Sequence, residues 1–584
     1  MRGTTFLLFG LMACPSSPPT DDSDTAADTD TDTDTDTDTD VLAPFRLPAP
    51  VEADGEHTAS HVVCTECHTA SPDADALKDA AGRSVGPADL WPGSMMAHAA
   101  RDPIYLAAVA AERAANPELG EALERECTAC HAPAAWADRT LVGQDAPNMA
   151  VLREDSLLGD LARDGANCMG CHLQRPETAG DDSTWSGHLD LNDERRIYGP
   201  HNLPMSGPMM NRAGFTPTRS DHILQAGTCA GCHTLETHSV DEAGQPTGHS
   251  ILEQGPFVEW RSSAFNPERS TADAATCQTC HMPTVDADGV PIVTRIARNP
   301  GGFDFPRTYD REPVARHLLL GGNTFVLGLI KDNRELLGSP ATAAQLDASI
   351  AGTRALLSSS ATVTFGEVAW EDGALVLPMT VHNEVGHKLP TAYPSRRAWL
   401  SVQITDGAGS TVFQVGSVDD AGRLVGQGGA VLASEASGGP LEPHRTEIRS
   451  ADDVVVWQSW MEDAAGQPTT TLLRGARYAK DNRLLPRGWA PTAADEALIA
   501  PVGVDGDPDF VAGSDGVSLR WTPQSAGPWT VDVQVRYQSF SPRFLAGLTR
   551  WDTPESRGLS AILEGNPPPV EVLGQGRITV AEPR

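Results

Sequence analysis

The pattern Cys-x-x-Cys-His occurs five times between residues 64 and 281 of this 584-residue chain. The five motifs contain ten of its eleven cysteines. The motif cysteines are Cys64, Cys67, Cys127, Cys130, Cys168, Cys171, Cys229, Cys232, Cys277 and Cys280, and the histidines that follow them are His68, His131, His172, His233 and His281. Two thiols at this spacing can each form a thioether with one porphyrin, and the next residue then supplies an imidazole to the iron.

This spacing is the attachment signature of c-type haem and predicts five covalently bound haem c groups, with the five motif histidines as proximal iron ligands. Thioredoxin-like redox pairs, disulfides and zinc sites are the alternatives, and each of them would leave the five histidines as coincidences. Covalent haem attachment takes place after export, so the motifs also predict an exported protein.

The stretch that holds the motifs is too short for each haem to have a domain of its own. We therefore expect the porphyrins to form much of the core, with short helices and irregular chain wrapped around them. The clearest helix before a motif is predicted over Asp102–Arg125, which is rich in Ala and Glu.

Twelve histidines lie outside the motifs, and five haems with two axial histidines each would need five of them. His98, His222 and His61 are candidates for the second axial position, with His57 as an alternative to His61. Methionine is the other common axial ligand of c-type haem. The less favoured methionine candidates are Met95, Met96, Met205, Met209 and Met210.

From about Trp91 onward, the chain resembles a family of bacterial multihaem cytochromes c in the broad cytochrome c554 and hydroxylamine oxidoreductase-related group. The strings that carry the resemblance are Trp91-Pro-Gly-Ser-Met-Met, Ala-Arg101-Asp102-Pro103, Cys229-Ala-Gly-Cys-His-Thr-Leu-Glu-Thr-His238, Glu253-Gln254, Glu259-Trp260-Arg-Ser-Ser, Cys277-Gln-Thr-Cys-His-Met-Pro283, Arg316-His317 with Gly321-Gly322-Asn323, Gly386-His387-Lys-Leu-Pro-Thr-Ala-Tyr-Pro-Ser-Arg-Arg-Ala-Trp399 and Lys480-Asp-Asn-Arg-Leu-Leu-Pro486. The resemblance implies that His238, His317 and His387 lie near haem iron, and it supplies no substrate.

After the motifs the hydrophobic period changes. Ser339-Pro340 predicts a helix start, with apolar residues following at helical spacing. Beyond it, runs such as Ala398–Ile404 and Val531–Tyr537 alternate between apolar and other residues, which predicts antiparallel strands of a β-sandwich without haem. In the loop Asp505-Gly-Asp507-Pro-Asp509, a Ca²⁺ site and a solvated acidic turn are both open, and the acidic turn is favoured.

At the N-terminus, Arg2 precedes a short apolar segment that ends in Leu11-Met12-Ala13-Cys14 and resembles a lipobox. Cys14 is therefore the candidate lipidation site, and the alternative is an ordinary signal peptide with an incidental cysteine. Six Thr-Asp pairs over 29–40 cannot form a core and predict a disordered tether. Because Pro15 gives no inner-membrane retention signal, we expect an outer-membrane lipoprotein that faces the periplasm or the cell surface.

The predicted fold class is thus α+β and multidomain, with a mostly helical or irregular multihaem domain followed by an antiparallel sandwich-like domain. The predicted segments are a signal peptide (1–13), the anchor and tether (14–50), a pentahaem domain (51–335), a connecting helix (336–361) and the β-domain (362–584).

The charge balance bears on partners. The chain has 43 Lys and Arg against 79 Asp and Glu, a formal net charge of −36, which argues against a nucleic-acid binder. Its acidic surface predicts redox partner proteins that are basic at the contact. No apolar run is long enough to span a bilayer, so membrane contact is expected through the lipid anchor only.

Three functions fit these observations. The first is electron transfer through five haems in the bacterial cell envelope. The second is an oxidoreductase that acts on a small nitrogen or sulfur species at one haem with an open axial position. The third is a docking or adhesion module in which the β-domain positions the haems on a partner.

Overall fold

A computed structural model of the protein describes residues 40–583. The predicted signal segment, the candidate lipidation residue Cys14 and most of the predicted tether lie outside these residues and stay predictions. From Val41 onward, the described chain forms one compact unit. Within residues 40–583, no helix combines the length and the apolar character that crossing a bilayer requires.

The haem-motif region consists of short helices joined by irregular chain. Its α-helices are α1 (His61–His68), α2 (Pro87–Leu90), α3 (Pro103–Ala115), α4 (Gly120–His131), α5 (Pro133–Thr140), α6 (Leu157–Arg163), α7 (Cys168–His172), α8 (Ser206–Ala213), α9 (Gly227–Ala230), α10 (Pro256–Arg261), α11 (Cys277–His281) and α12 (Thr324–Asp332). Four of the motifs end their helices at the motif histidine, and α9 ends inside the fourth motif.

Turns of 3-10 helix and two small sheets complete this region. The 3-10 turns are Ala43–Phe45, Trp91–Gly93, Met96–His98, Pro117–Leu119, Met149–Arg153, Asp182–Thr184 and Asp221–Leu224. The strands are β1 (Arg196–Gly199), β2 (Thr216–Arg219), β3 (Leu235–Val240) and β4 (Pro246–Gln254). β1 pairs with β2 in parallel, and β3 pairs with β4 in antiparallel orientation.

The helix predicted over Asp102–Arg125 is wrong as a single element, because the chain forms α3 and α4 instead. Pro117 has no N–H to donate, and its ring pushes the preceding residue out of the helical region. Asn116 accordingly adopts φ −133° and ψ 61°. Asp102 caps the start of α3, where its side chain accepts hydrogen bonds from the backbone N–H groups of Ile104 and Tyr105.

The connecting helix is α13 (Ala343–Leu357), which is shorter than the predicted segment and begins later than Ser339-Pro340. Its start is set by a capping box between Thr342 and Gln345. Leu346 and Leu357 on this helix are buried, as their spacing predicts.

After α13 the chain forms two sheets. Their strands are β5 (Ala361–Phe365), β6 (Ala369–Glu371), β7 (Ala374–Asn383), β8 (Arg397–Thr405), β9 (Thr411–Val415), β10 (Ser417–Val418), β11 (Leu424–Val425), β12 (Glu447–Ile448), β13 (Val456–Glu462), β14 (Pro468–Thr469), β15 (Arg477–Asp481), β16 (Ser514–Trp521), β17 (Trp529–Gln538) and β18 (Glu571–Val580). One sheet has the order β12-β16-β7-β5 with β6 beside β7; the other has the order β14-β13-β8-β17-β18 with β15 and β9 at its sides. β10 and β11 form a separate pair.

The inner faces of the two sheets share one core. Leu377 of β7, Leu400 and Val402 of β8 and Val533 of β17 belong to a single buried apolar cluster. All pairings in the two sheets are antiparallel except that of β12 with β16. The predicted α+β class with an antiparallel sandwich is therefore confirmed.

Three further helices and three 3-10 turns interrupt the strands. The helices are α14 (Ala493–Ile499), α15 (Pro542–Thr549) and α16 (Pro554–Leu563), and the 3-10 turns are Gln427–Gly429, Ala433–Glu435 and Leu472–Arg474. α15 and α16 share a core with α3 of the haem-motif region. The C-terminal part of the chain is thus packed onto the first part, and the predicted domain boundaries stay predictions.

Candidate haem-binding centre

A cavity of about 1750 Å³ runs through the haem-motif region. All ten motif cysteines and all five motif histidines line it. Ordinary small-molecule pockets have volumes of about 300–1,000 Å³, so this cavity is larger than one such ligand requires. Part of its wall comes from the sandwich, through the loop 384–396 and the end of β17.

Four motif histidines are oriented by the same kind of hydrogen bond. Nδ1 of His68, His131 and His172 bonds to a backbone carbonyl at 3.0, 2.7 and 2.6 Å respectively. Nδ1 of His281 bonds to the carbonyl of Leu320. Because a carbonyl only accepts, each Nδ1 carries the hydrogen and each Nε2 keeps a free lone pair, as an iron ligand needs.

Burial holds these imidazoles in the neutral form. It lowers the pKa of His131 to about 4 against the opposing effect of its hydrogen bond to Ala99. Burial likewise lowers the pKa of His233 to about 4, with smaller contributions from His281 and Arg396. Neutral imidazole is the form that coordinates iron.

Thiols from different motifs also meet inside the cavity. Interaction with Cys64 raises the pKa of the Cys168 thiol, which places the third motif beside the first. Cys130 likewise raises the pKa of Cys232, and Cys277 that of Cys229, so the fourth motif lies beside both the second and the fifth. None of the ten motif cysteines is paired in a disulfide, which does not support the disulfide alternative.

The residues present fit haem c. Paired thiols at attachment spacing, neutral histidines with a free Nε2 and a largely apolar wall are the features that covalent haem requires. Within the described chain, no motif residue belongs to a cluster of three metal-ligating side chains of the kind a zinc site needs.

His317 lies opposite the third motif. Its ring centroid is 6.3 Å from that of His172, and the two ring planes differ by 20°. Two imidazoles bound to opposite sides of one metal at about 2.0–2.1 Å would have centroids roughly 6 Å apart. Nδ1 of His317 bonds to the carbonyl of Ala315 at 3.1 Å, so its Nε2 is also free. His172 and His317 would together be able to hold one haem iron.

His387 comes from the sandwich and reaches the cavity on the loop after β7. Its Nδ1 bonds to the carbonyl of Lys388 at 2.9 Å, and burial lowers its pKa to about 4. Gly386 lets this loop approach closely, because a Cβ there would lie 3.2 Å from Trp260 and 3.3 Å from Phe265. The loop therefore packs closely against Trp260 and Phe265, and His387 beside it lines the cavity.

A buried ion network holds the His387 loop in place. Arg483 pairs with Asp481 at 2.7 Å and with Glu259 of α10 at 3.1 Å. Lys388 pairs with Asp481 at 2.6 Å and donates its backbone N–H to Glu259 at 3.1 Å. The positive charges of Arg483 and Lys388 hold the pKa of Asp481 well below its usual range. These residues belong to three separate strings of the family resemblance, and the fold brings them together.

His61 also lines the cavity, at the start of α1. Its Nδ1 is hydrogen-bonded to the buried carboxylate of Asp164. A carboxylate behind an imidazole fixes the ring and raises its strength as a metal ligand. His61 is thus placed as an axial candidate, whereas His57 bonds to the carbonyl of Asp193 and does not line the cavity.

The other three predicted candidates are placed differently. His98 is fully buried, both of its ring nitrogens are hydrogen-bonded, to Ser94 at 2.8 Å and Ser339 at 2.7 Å, and it does not line the cavity. His222 has a buried Nε2 without a partner, but its ring is not among the residues of the cavity wall. His238 lines the cavity from β3 with an exposed side chain.

Two cavity histidines were missed by the sequence reasoning. His188 bonds through Nδ1 to the carbonyl of Trp185 at 2.7 Å, and His201 lies half-buried near Arg311. Neither belongs to a motif, so only the fold could select them. Of the methionine candidates, Met95, Met96, Met205 and Met209 line the cavity, and Met210 does not.

Buried acidic groups form a second unpredicted feature of the cavity. Burial raises the pKa of Glu112 to about 8 and that of Glu253 to about 7. Glu112 accepts hydrogen bonds from the backbone N–H groups of Leu472 and Leu473, and Glu253 accepts one from Thr237. Burial, and to a smaller extent Glu253 and Glu112, raise the pKa of the Cys127 thiol, which places both carboxyls near the second motif.

Comparison with known proteins adds little to this geometry. No protein-family model matches the sequence, and none of the curated proteins matches it. Among solved structures, the chain is similar to a penta-heme cytochrome c552 from Thermochromatium tepidum, with 15% identity, a TM-score of 0.48, and coverage of 90% of this chain and 100% of that chain. A similarity at this level carries no argument about the function of this chain.

Proposed function

We propose that the protein is a multihaem c-type cytochrome that passes electrons among five covalently bound haems. The observation that carries this proposal is the convergence of all five Cys-x-x-Cys-His motifs on one cavity. Bound haem supplies one-electron chemistry at iron. The chain supplies thioether attachment, oriented imidazoles and an apolar wall that excludes water.

The contacts between motifs support transfer from one haem to the next. The first motif meets the third, the fourth meets the second and the fifth, and the thiols of Cys171 and Cys232 interact between the third and the fourth. The five attachment sites therefore form a connected set with the fourth motif at its branch point. Haems held at such neighbouring sites are close enough to exchange electrons.

The location and the partners are part of the same proposal. A lipobox-like Cys14 and the Thr-Asp tether support an outer-membrane lipoprotein, with the haems held away from the bilayer. The net charge of −36 supports redox partners that are basic where they make contact. Electron transfer to such a partner is expected to slow as salt is added, and faster transfer at high salt would contradict this part of the proposal.

One observation favours an oxidoreductase as a second candidate. Glu112, Glu253 and the buried Tyr393 line the cavity near the second motif and can hold protons at neutral pH. Reduction of a small nitrogen or sulfur species consumes protons and needs an iron with an open axial position. The docking alternative has no comparable support, since Val431 and Val511 are scattered single apolar residues on the described part of the sandwich.

The first experiment is a haem count on protein matured in a host that attaches c-type haem. We expect five haems per chain from the pyridine haemochrome spectrum, and protein that folds without covalent haem would refute the proposal. Low-temperature EPR then separates the two candidates. Low-spin iron at every site supports the relay, whereas a stoichiometric high-spin signal supports the oxidoreductase.

A pair of matched variants tests the axial assignment. His317→Gln should convert one haem to the high-spin form, because it removes the imidazole that faces His172. His98→Gln should leave every spin state unchanged, since both nitrogens of His98 are already hydrogen-bonded within the protein. The opposite pattern would show that His98 is the ligand.

A further inference from the structure

Away from the haem cavity, two acidic residues and a histidine meet at the end of the sandwich. Ligand atoms of His444, Asp507 and Asp515 all lie within 4.8 Å of one another. The side chains of His444 and Asp507 are 6% and 4% exposed, and Asp515 is fully buried on β16. No motif and no haem-facing residue belongs to this cluster.

One atom of the cluster lacks a partner. Oδ2 of Asp515 accepts a hydrogen bond from Nε1 of Trp457 at 2.7 Å, but its Oδ1 is buried without one. A buried carboxylate oxygen without a partner is costly. Among the described residues, no Lys or Arg forms an ion pair with Asp507, Asp509 or Asp515. A small cation between the carboxylates would give the Asp515 oxygen a partner and would balance the negative charge.

The hydrogen bonds of Asn482 determine the role of His444. The amide oxygen of Asn482 accepts from the backbone N–H of Gln458 at 3.1 Å, and its nitrogen donates to the carbonyl of Val456 at 2.9 Å. The amide nitrogen therefore also donates to Nδ1 of His444 at 3.0 Å, which leaves the ring hydrogen on Nε2. Nε2 then donates to Asp507 at 2.7 Å.

This tautomer decides the class of cation. An imidazole whose Nε2 carries a hydrogen has no free lone pair for a soft or borderline metal such as Zn²⁺. The donors that remain in the cluster are carboxylate oxygens of Asp507 and Asp515. Oxygen donors, with water completing the coordination, are what Ca²⁺ prefers. We propose that Asp507 and Asp515 bind one Ca²⁺ ion, with His444 and Trp457 orienting the carboxylates.

The electrostatics agree with this assignment. Burial and the charges of Asp507 and Asp509 raise the pKa of Asp515 to about 7. A divalent cation would remove that repulsion and bring the pKa of Asp515 back down. From the sequence alone, a solvated acidic turn is favoured over a Ca²⁺ site in the loop 505–509. The fold adds the buried carboxylate of Asp515, which lies beyond this loop.

The test is calorimetric titration of the intact, haem-loaded protein with CaCl2 after chelation, with the metal content checked by elemental analysis. We expect one strong site per chain and a higher Tm in the presence of Ca²⁺. Asp515→Asn keeps an oxygen for the Trp457 hydrogen bond and should weaken the affinity at least tenfold. Asp463→Asn alters a loop carboxylate at the opposite end of β13 and should change nothing.

His444→Gln separates the two cation classes. Gln can still donate to Asp507, so His444→Gln should weaken Ca²⁺ binding less than Asp515→Asn does. Strong binding of ZnCl2 that His444→Gln abolishes would overturn the oxygen-only site. The absence of any strong Ca²⁺ site would refute the proposal. Ca²⁺ binding that Asp515→Asn leaves intact would also refute it, because the ion would then be bound elsewhere, for example by the Thr-Asp tether.

Discussion

The haem-motif region and the sandwich are filled in different ways. In the sandwich, Leu377, Leu400, Val402 and Val533 bury one another, and the core closes with side chains alone. In the haem-motif region, short helices surround a cavity of about 1750 Å³. A polypeptide interior is normally packed without such space, so we expect this region to need a bound group to complete its core. The comparison teaches that one chain can combine a self-sufficient core with one that the proposed cofactor completes.

The sharpest way to break this comparison is to remove one haem. Cys168→Ser with Cys171→Ser should lower the haem content from five to four per chain and destabilise the haem-motif region more than any single substitution described below. The affected site lies at the contact between the first and fourth motifs, so its loss leaves part of the core unfilled. Haem counting and limited proteolysis measure both effects.

The same variant also tests the independence of the sandwich. Its strands should remain protected from proteolysis longer than the motif helices, because only the margin of their core, at Leu357, Leu389 and Tyr537, lines the cavity. Equal and simultaneous digestion of both regions would show that the sandwich, too, depends on haem.

The next largest effect is expected from a substitution in the ion network between the two regions. Arg483→Met should destabilise the protein by about 3–5 kcal/mol, because it leaves Glu259 and Asp481 buried with less compensating charge. Since this network holds the His387 loop, the variant should also increase the high-spin fraction of one haem. Denaturant titration and EPR measure the two outcomes.

Arg423→Met is the matched control for this substitution. Arg423 is 45% exposed in its pair with Asp419, so the cost should be about 0–1 kcal/mol. An unchanged EPR spectrum in Arg483→Met would show that the network does not position an iron ligand.

A large-to-small substitution in the sandwich core should lower the stability of the protein without affecting the haems. Leu400→Ala removes a fully buried side chain and should cost about 2–5 kcal/mol, with haem content and spin states unchanged. Thermal unfolding followed by far-UV circular dichroism, together with the visible spectrum, checks both halves of this expectation. A haem spectrum that changes with Leu400→Ala would mean that the two cores are coupled.

The sequence predicted the haem attachment residues and the sandwich strands because both are local patterns. Five motifs fix the cysteines and the proximal histidines by spacing, and alternation along β8 and β17 predicts two buried strands. Pro117 also indicates the break between α3 and α4, whereas the Ala-rich composition predicts one continuous helix.

The distal side of the cavity was not predictable in the same way. His98 and His188 both lie outside any recognisable motif. However, both ring nitrogens of His98 are hydrogen-bonded, to Ser94 and Ser339, whereas His188 lines the cavity. Likewise, Asp507 and Asp515 come together where the chain turns between Val511 and Ser514, and His444 joins them from a distant part of the sequence. Which isolated side chain reaches a site depends on tertiary contacts that spacing does not encode.

The smallest predicted effect concerns the buried carboxyls of the cavity. Burial raises the pKa of Glu112 from 4.5 to about 8, so the folded protein holds a proton that the unfolded chain loses above pH 4.5. At this carboxyl the unfolded state then binds fewer protons, and the contribution of Glu112 to stability falls as the pH rises from about 4.5 to about 8. Glu112→Gln keeps an acceptor for Leu472 and should reduce this loss by about 1–3 kcal/mol.

Denaturant titrations at pH 5, 7 and 9 measure that loss in the wild type and in Glu112→Gln. Glu118→Gln, at an exposed neighbouring position, should leave the pH dependence unchanged. A pH dependence that is the same in the wild type and in Glu112→Gln would show that Glu112 is ionised in the folded protein. The cavity would then contain a permanent negative charge near the second motif, which would stabilise the oxidised haem there instead of storing a proton for reduction.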